Sequence, residues 1–97
     1  MAEELTMDTL DRLRGRIDAL DERLVALLNE RAACALEIGR VKEALELPIY
    51  QPAREVEVLA HVRAINAGPL DAGAVTRLFE RIIDEGRRLE REAAKAR

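Results

Sequence analysis

Residues 13–45 read LRGRIDALDERLVALLNERAACALEIGRVKEAL, and this stretch decides the fold. Leu13, Ile17, Leu20, Leu24 and Leu27 recur at steps of four and three, and Cys34, Ile38, Val41 and Leu45 continue the series. Arg31 is the member that breaks it. Such spacing marks an amphipathic α-helix with one apolar stripe. Thr6 or Asp8 can cap its start. Pro48 disfavours helix at Leu47, so the pattern predicts a helix from about residue 8 to about residue 46. At 1.5 Å per residue that helix would be roughly 55 to 60 Å long, whereas a compact chain of this size has a radius of gyration of ~13 Å. The stripe outruns any core that the rest of one chain can build, and it calls for a second chain.

Beyond the stripe, Pro52 is a favoured first-turn residue and opens a second helix to about Asn66, through Val56, Leu59, Val62 and Ile65. Asn66-Ala67-Gly68-Pro69 reads as a stop and a turn. Asp71 can cap a third helix carrying Val75, Leu78, Phe79, Ile82, Ile83 and Leu89, with Ala93 to Arg97 expected to fray. The fold class is therefore all-α, three helices with a long first one. The chain is read as one domain over residues 1–97, with its core at about 7–92.

Composition agrees. A length of 97 residues suits one domain, and 48% hydrophobic with 36% charged residues supports a folded core. Five Gly, three Pro and 2% aromatics favour helix over a β-sandwich or barrel. A single Cys excludes an internal disulfide, and one Cys with one His leaves little for a zinc site. No apolar run approaches the ~20 residues of a membrane span, and the acidic N-terminus is not a signal peptide. A formal charge of −3 gives no reason to expect nucleic acid as a partner. The expectation is a soluble, cytoplasmic protein without metal or cofactor.

Several polar residues stand where the pattern wants apolar ones. An arginine at position 31 is either paired with a buried acid or holding an anion. Lys42 lies eleven residues on, about three turns, and faces nearly the same side ~16 Å along the axis, so the two could bracket a small dianion. Of the 16 basic residues only Lys42 and Lys95 are lysines, which suggests that a compact point charge is wanted at 42. Arg14 is about 25 Å from Arg31 on a straight helix, so it serves the surface or a site completed by another subunit. Gln51, Arg54 and Glu55 share a face of the first turn of the second helix, where capping and dipole placement are the plain explanation. Phe79, Ile83, Gly86 and Glu90 form one stripe of the third helix. Gly86 costs about 1 kcal/mol against Ala there, which suggests a close approach. Cys34 reads as a small core residue and His61 as a surface residue.

Taken together, these segments resemble the all-helical chorismate mutases. The resemblance is carried by Leu13-Arg14-Gly15-Arg16-Ile17-Asp18-Ala19-Leu20-Asp21, Leu27-Leu28-Asn29-Glu30-Arg31, Glu37-Ile38-Gly39-Arg40-Val41-Lys42, Pro48-Ile49-Tyr50, Arg54-Glu55 and the Leu78-Phe79 to Ile82-Ile83 segment, over roughly residues 7 to 92. It implies an intertwined homodimeric helical bundle and the Claisen rearrangement of chorismate to prephenate, an isomerase step of the shikimate pathway toward phenylalanine and tyrosine. That reaction needs no nucleophile, metal or cofactor. The dianionic substrate is held in a compact pseudo-diaxial conformer, and charge developing on the breaking ether bond is stabilised.

By the same resemblance, Arg31 binds one substrate carboxylate and Arg14 of the partner subunit binds the enolpyruvyl carboxylate. Lys42 donates to the ether oxygen, Arg54 supports the substrate and the electrostatics of the pocket, and Glu55 accepts from the ring hydroxyl. Gln51 stands where several relatives have Asp, with hydroxyl contact as one role. Gly86 stands where some have Ser, so that hydroxyl contact is absent, and Glu90 stands where some have Gln. Beside the ether oxygen a carboxylate repels developing charge, so Glu90 helps there only when protonated. Two other readings remain: an isochorismate pyruvate lyase on the same fold, and a non-catalytic helical dimerisation module. There is no room for an amino-acid-sensing domain, so feedback control would come from another polypeptide, as a shikimate-pathway partner or fused domain.

Overall fold

The computed structural model describes residues 4–97 and forms three α-helices: α1 (Met7–Ala44), α2 (Pro52–Ile65) and α3 (Ala72–Ala96). Thr6, not Asp8, caps α1. Its Oγ1 accepts from the Thr9 N–H at 3.2 Å, and the Thr9 Oγ1 accepts from the Thr6 N–H at 3.3 Å, a reciprocal pairing of the capping-box kind. At the other end α1 stops two residues before the expected position. The Leu47 N–H donates to the Lys42 carbonyl at 2.7 Å and the Glu46 N–H to the Glu43 carbonyl at 3.2 Å. These two bonds make a Schellman turn with Glu46 in the left-handed conformation, φ 56°, so the chain leaves the helix before Pro48 can act on it.

Pro52 opens α2 as expected, and Asp71 caps α3 by accepting from the Ala74 N–H at 2.7 Å. Between them, Asn66 closes the turn, donating from Nδ2 to the Leu70 carbonyl at 2.7 Å and accepting from the Gly68 N–H at 3.2 Å. Gly68 has φ +80°, a conformation glycine adopts without steric cost. The expected fraying from Ala93 is corrected. The third helix continues to Ala96, where the Arg97 guanidinium pairs with Glu43 and ties it down.

The chain falls into two units, residues 1–30 and 31–97. In the first, α1 displays Leu13, Ile17, Leu20, Leu24 and Leu27 to solvent, and Arg14 is exposed as well. In the second, the rest of α1 lies against α3, Gly39 facing Glu90 and Ala35 facing Gly86, and α2 packs on α3; Ala35, Val62 and Val75 are buried, with Gly39, Gly86 and Glu90 also enclosed. A core this small covers one side of each helix. Leu78, Val56 and Ile65, which the periodicity assigns inward, are therefore exposed, and so is Cys34. Among the described residues no helix is long and apolar enough to cross a membrane.

Candidate active site

Within the second unit, α1, the connection before α2, the start of α2 and the distal half of α3 enclose an open cavity of about 380 Å³. Arg31 and Lys42 reach it from α1, Gln51, Arg54 and Glu55 from the N-terminal turn of α2, and Gly86 and Glu90 from α3. Residues far apart in sequence are thus brought to one wall set. Arg14 belongs to the other unit and is not among the lining residues.

Lys42 is firmly held. Its Nζ donates to the Ile49 carbonyl at 2.7 Å and lies 3.0 Å from the Glu90 Oε2, with side-chain exposures of 15% for Lys42 and 8% for Glu90. An ammonium has three donors, so one is left for a ligand. Glu90 reaches this position because Gly39 has no side chain: a Cβ there would lie 3.2 Å from the Glu90 Cγ. Gly86 is less constrained, since a Cβ there would meet the Ala35 Cβ at 3.7 Å and the Arg31 Nη1 at 3.8 Å, ordinary contacts. Its neighbours are side chains, and no backbone approaches it closely. Arg31 is half-buried and has no acid partner among the described residues. Its guanidinium is therefore available to an anion entering the cavity.

The first turn of α2 is only partly aimed at the cavity. Gln51 does not cap the helix with its side chain; its Nε2 donates instead to the Pro48 carbonyl at 2.8 Å. Arg54 pairs with Glu57 at 3.2 Å on the exposed surface. The Glu55 Oε2 lies 3.3 Å from the Nε of Arg87, a residue that sequence reasoning missed. Arg87 lines the cavity, and its guanidinium sits 4.8 Å from the centre of the Tyr50 ring. Its neighbour Arg88 belongs to a solvated ladder with Arg81, Glu85 and Glu92. The hydrogen bond from Arg88 holds the Glu85 carboxyl below the usual carboxylate range.

Four cations (Arg31, Lys42, Arg54 and Arg87) and two carboxylates (Glu55 and Glu90) line the cavity, a net charge of two positive. Such a site can bind a small dianion at several points and place a fixed ammonium against one of its oxygens.

Comparison with known proteins agrees with that chemistry. The family profile described as chorismate mutase type II matches residues 13–91. The bifunctional chorismate mutase/prephenate dehydratase of Stutzerimonas stutzeri is 47% identical over 88 residues, which cover 86% of this chain and 24% of that protein. The same bifunctional protein of Pseudomonas aeruginosa gives the same figures, so the chain spans about a quarter of the length of these curated relatives. Among solved structures, chorismate mutase (form II) of Thermus thermophilus superposes with a TM-score of 0.84 at 36% identity, covering 86% of this chain and 94% of that one. Chorismate mutase of Helicobacter pylori in complex with prephenate gives 0.84 at 34% identity, covering 91% and 96%.

Proposed function

The chain belongs to the type II chorismate mutase family, and from that premise we propose that it converts chorismate to prephenate in the cavity between α1 and α3. The observation that carries this reading is Arg31, a half-buried guanidinium with no acid partner among the described residues, lining the same cavity as an ammonium already fixed in place. The substrate has two carboxylates and the cavity has two surplus positive charges.

Arg31 holds one carboxylate through its fork. Lys42, held between the Ile49 carbonyl and Glu90, offers its remaining donor to the ether oxygen as the C–O bond lengthens and charge gathers there. Because Lys42 is fixed before substrate arrives, little reorganisation accompanies the reaction. Glu55 accepts from the ring hydroxyl, and Arg54 swings from its exposed pairing with Glu57 to support the substrate. Gln51 closes the mouth near the hydroxyl, and Gly86 leaves room for the ring. Glu90 holds Lys42 as a carboxylate.

The exposed stripe of α1 supports a homodimer in which Leu13 to Leu27 pack on the same residues of a second copy. Arg14 of the partner subunit then completes the site on the enolpyruvyl carboxylate. A cytoplasmic location and a prephenate-consuming partner or fused domain fit this reading, given the bifunctional relatives. The test is a product assay: chorismate should disappear with formation of prephenate, while isochorismate should give no pyruvate and salicylate. The reverse outcome assigns lyase chemistry, and no turnover of either substrate leaves a dimerisation module.

A further inference from the structure

Glu55 presents an electrostatic difficulty. A carboxylate that accepts a hydrogen bond from the hydroxyl must sit close to a substrate carrying two negative charges, and it repels them. Arg87 stands where this repulsion can be cancelled. Its Nε is 3.3 Å from the Glu55 Oε2, and both side chains are about one-quarter exposed, 24% each, so solvent screens the pair only in part. Arg87 is itself fixed on two other sides, by Asp84 at 2.5 Å and by the Tyr50 ring face 4.8 Å from the guanidinium carbon.

The Nε–H is enclosed yet finds no aligned acceptor, so the contact with Glu55 is an ion pair and not a hydrogen bond. The lone pairs of Glu55 consequently stay available for an incoming hydroxyl. Without Arg87, the cavity would carry three cations against two carboxylates, one positive charge in place of two. We propose that Arg87 is a positioning residue for substrate recognition, offsetting the charge of Glu55 and holding its carboxylate in place so that it can accept from the substrate hydroxyl. This rests on the reading that the cavity binds chorismate with Glu55 on the hydroxyl.

The test is a double-mutant cycle in steady-state turnover of chorismate with Arg87→Met and Glu55→Gln. Met keeps length and helix preference while removing the charge. Arg87→Met alone should lower kcat/KM by about tenfold or more, chiefly through KM, the scale of one interaction with a charged group. In the Glu55→Gln background there is no charge left to cancel, and the same substitution should change kcat/KM by less than about threefold. Arg87→Lys, which restores the charge, should recover most of the KM. A merely structural role would give equal losses in both backgrounds and no recovery with Lys, and either result overturns the proposal. Wild-type protein that does not turn over chorismate overturns the functional reading beneath it as well. An active wild type with additive losses overturns the role of Arg87 alone.

Discussion

Replacing Lys42 by Met removes the ammonium at the centre of the site and strands the carboxylate it faces. The two charges lie 3.0 Å apart with 15% and 8% of their side chains exposed, too enclosed for water to take over the role of the lost partner. Breaking a buried pair on one side costs about 3 to 5 kcal/mol, and the residual exposure of Lys42 places this case at about 3. For a domain of this length that corresponds to a fall in Tm of roughly 12 to 24 °C. Adding Glu90→Gln removes the stranded charge, so the double variant should return to within about 1 kcal/mol of wild type. Turnover should behave differently. Both variants lose the donor to the ether oxygen, and both should be at least ~100-fold slower in kcat. Thermal unfolding and chorismate turnover on the same samples separate the two effects. A Lys42→Met protein as stable as wild type would show that the ion pair contributes nothing to the fold. A double variant with near-normal kcat would show that the ammonium is not what stabilises the transition state.

Three further outcomes are expected. Glu46→Gly relieves a left-handed residue at the end of α1 and should raise stability by about 1 kcal/mol, or roughly 4 to 8 °C in Tm; an unchanged or lower Tm contradicts the strain assigned to that turn. Glu90→Gln alone keeps an acceptor for Lys42 through its amide oxygen and should hold kcat within about tenfold of wild type; a larger loss would show that the carboxylate charge is needed to position the ammonium. Mixing Arg14→Ala with Arg31→Ala chains should restore one intact site per heterodimer, and sedimentation should show dimers; a folded monomer of 10.9 kDa, or mixtures as inactive as their parents after exchange, refutes the shared site.

Much of this architecture was legible because its causes are local. The four-and-three spacing from Leu13 to Leu45, Pro52 at a first turn and Asp71 before Ala72 each act within a few residues, and the helices begin where these signals stand. Arg31 was legible as an anion-binding candidate because it interrupts a periodic stripe. Arg87 was not, since beside Arg88 it reads as another solvated cation; its contacts with Glu55 and Tyr50 exist only after α2, α3 and the connection have packed. The need for glycine at 39 is hidden in the same way, because it is set by Glu90 on another helix. The end of α1 was misplaced for a further reason: a Schellman turn on Glu46 uses a residue that ordinarily avoids that conformation. At the C-terminus Arg97 meets Glu43, a pairing that no spacing rule reaches.

The most direct measurement compares chorismate turnover by wild type and Arg31→Ala, with prephenate quantified as product. Arg31 has no acid partner among the described residues, so its removal leaves no stranded charge there and should spare the fold. Prephenate should form with the wild type, and the variant should lose at least ~100-fold in kcat/KM at unchanged Tm. Equal turnover by the two proteins would contradict the role of Arg31.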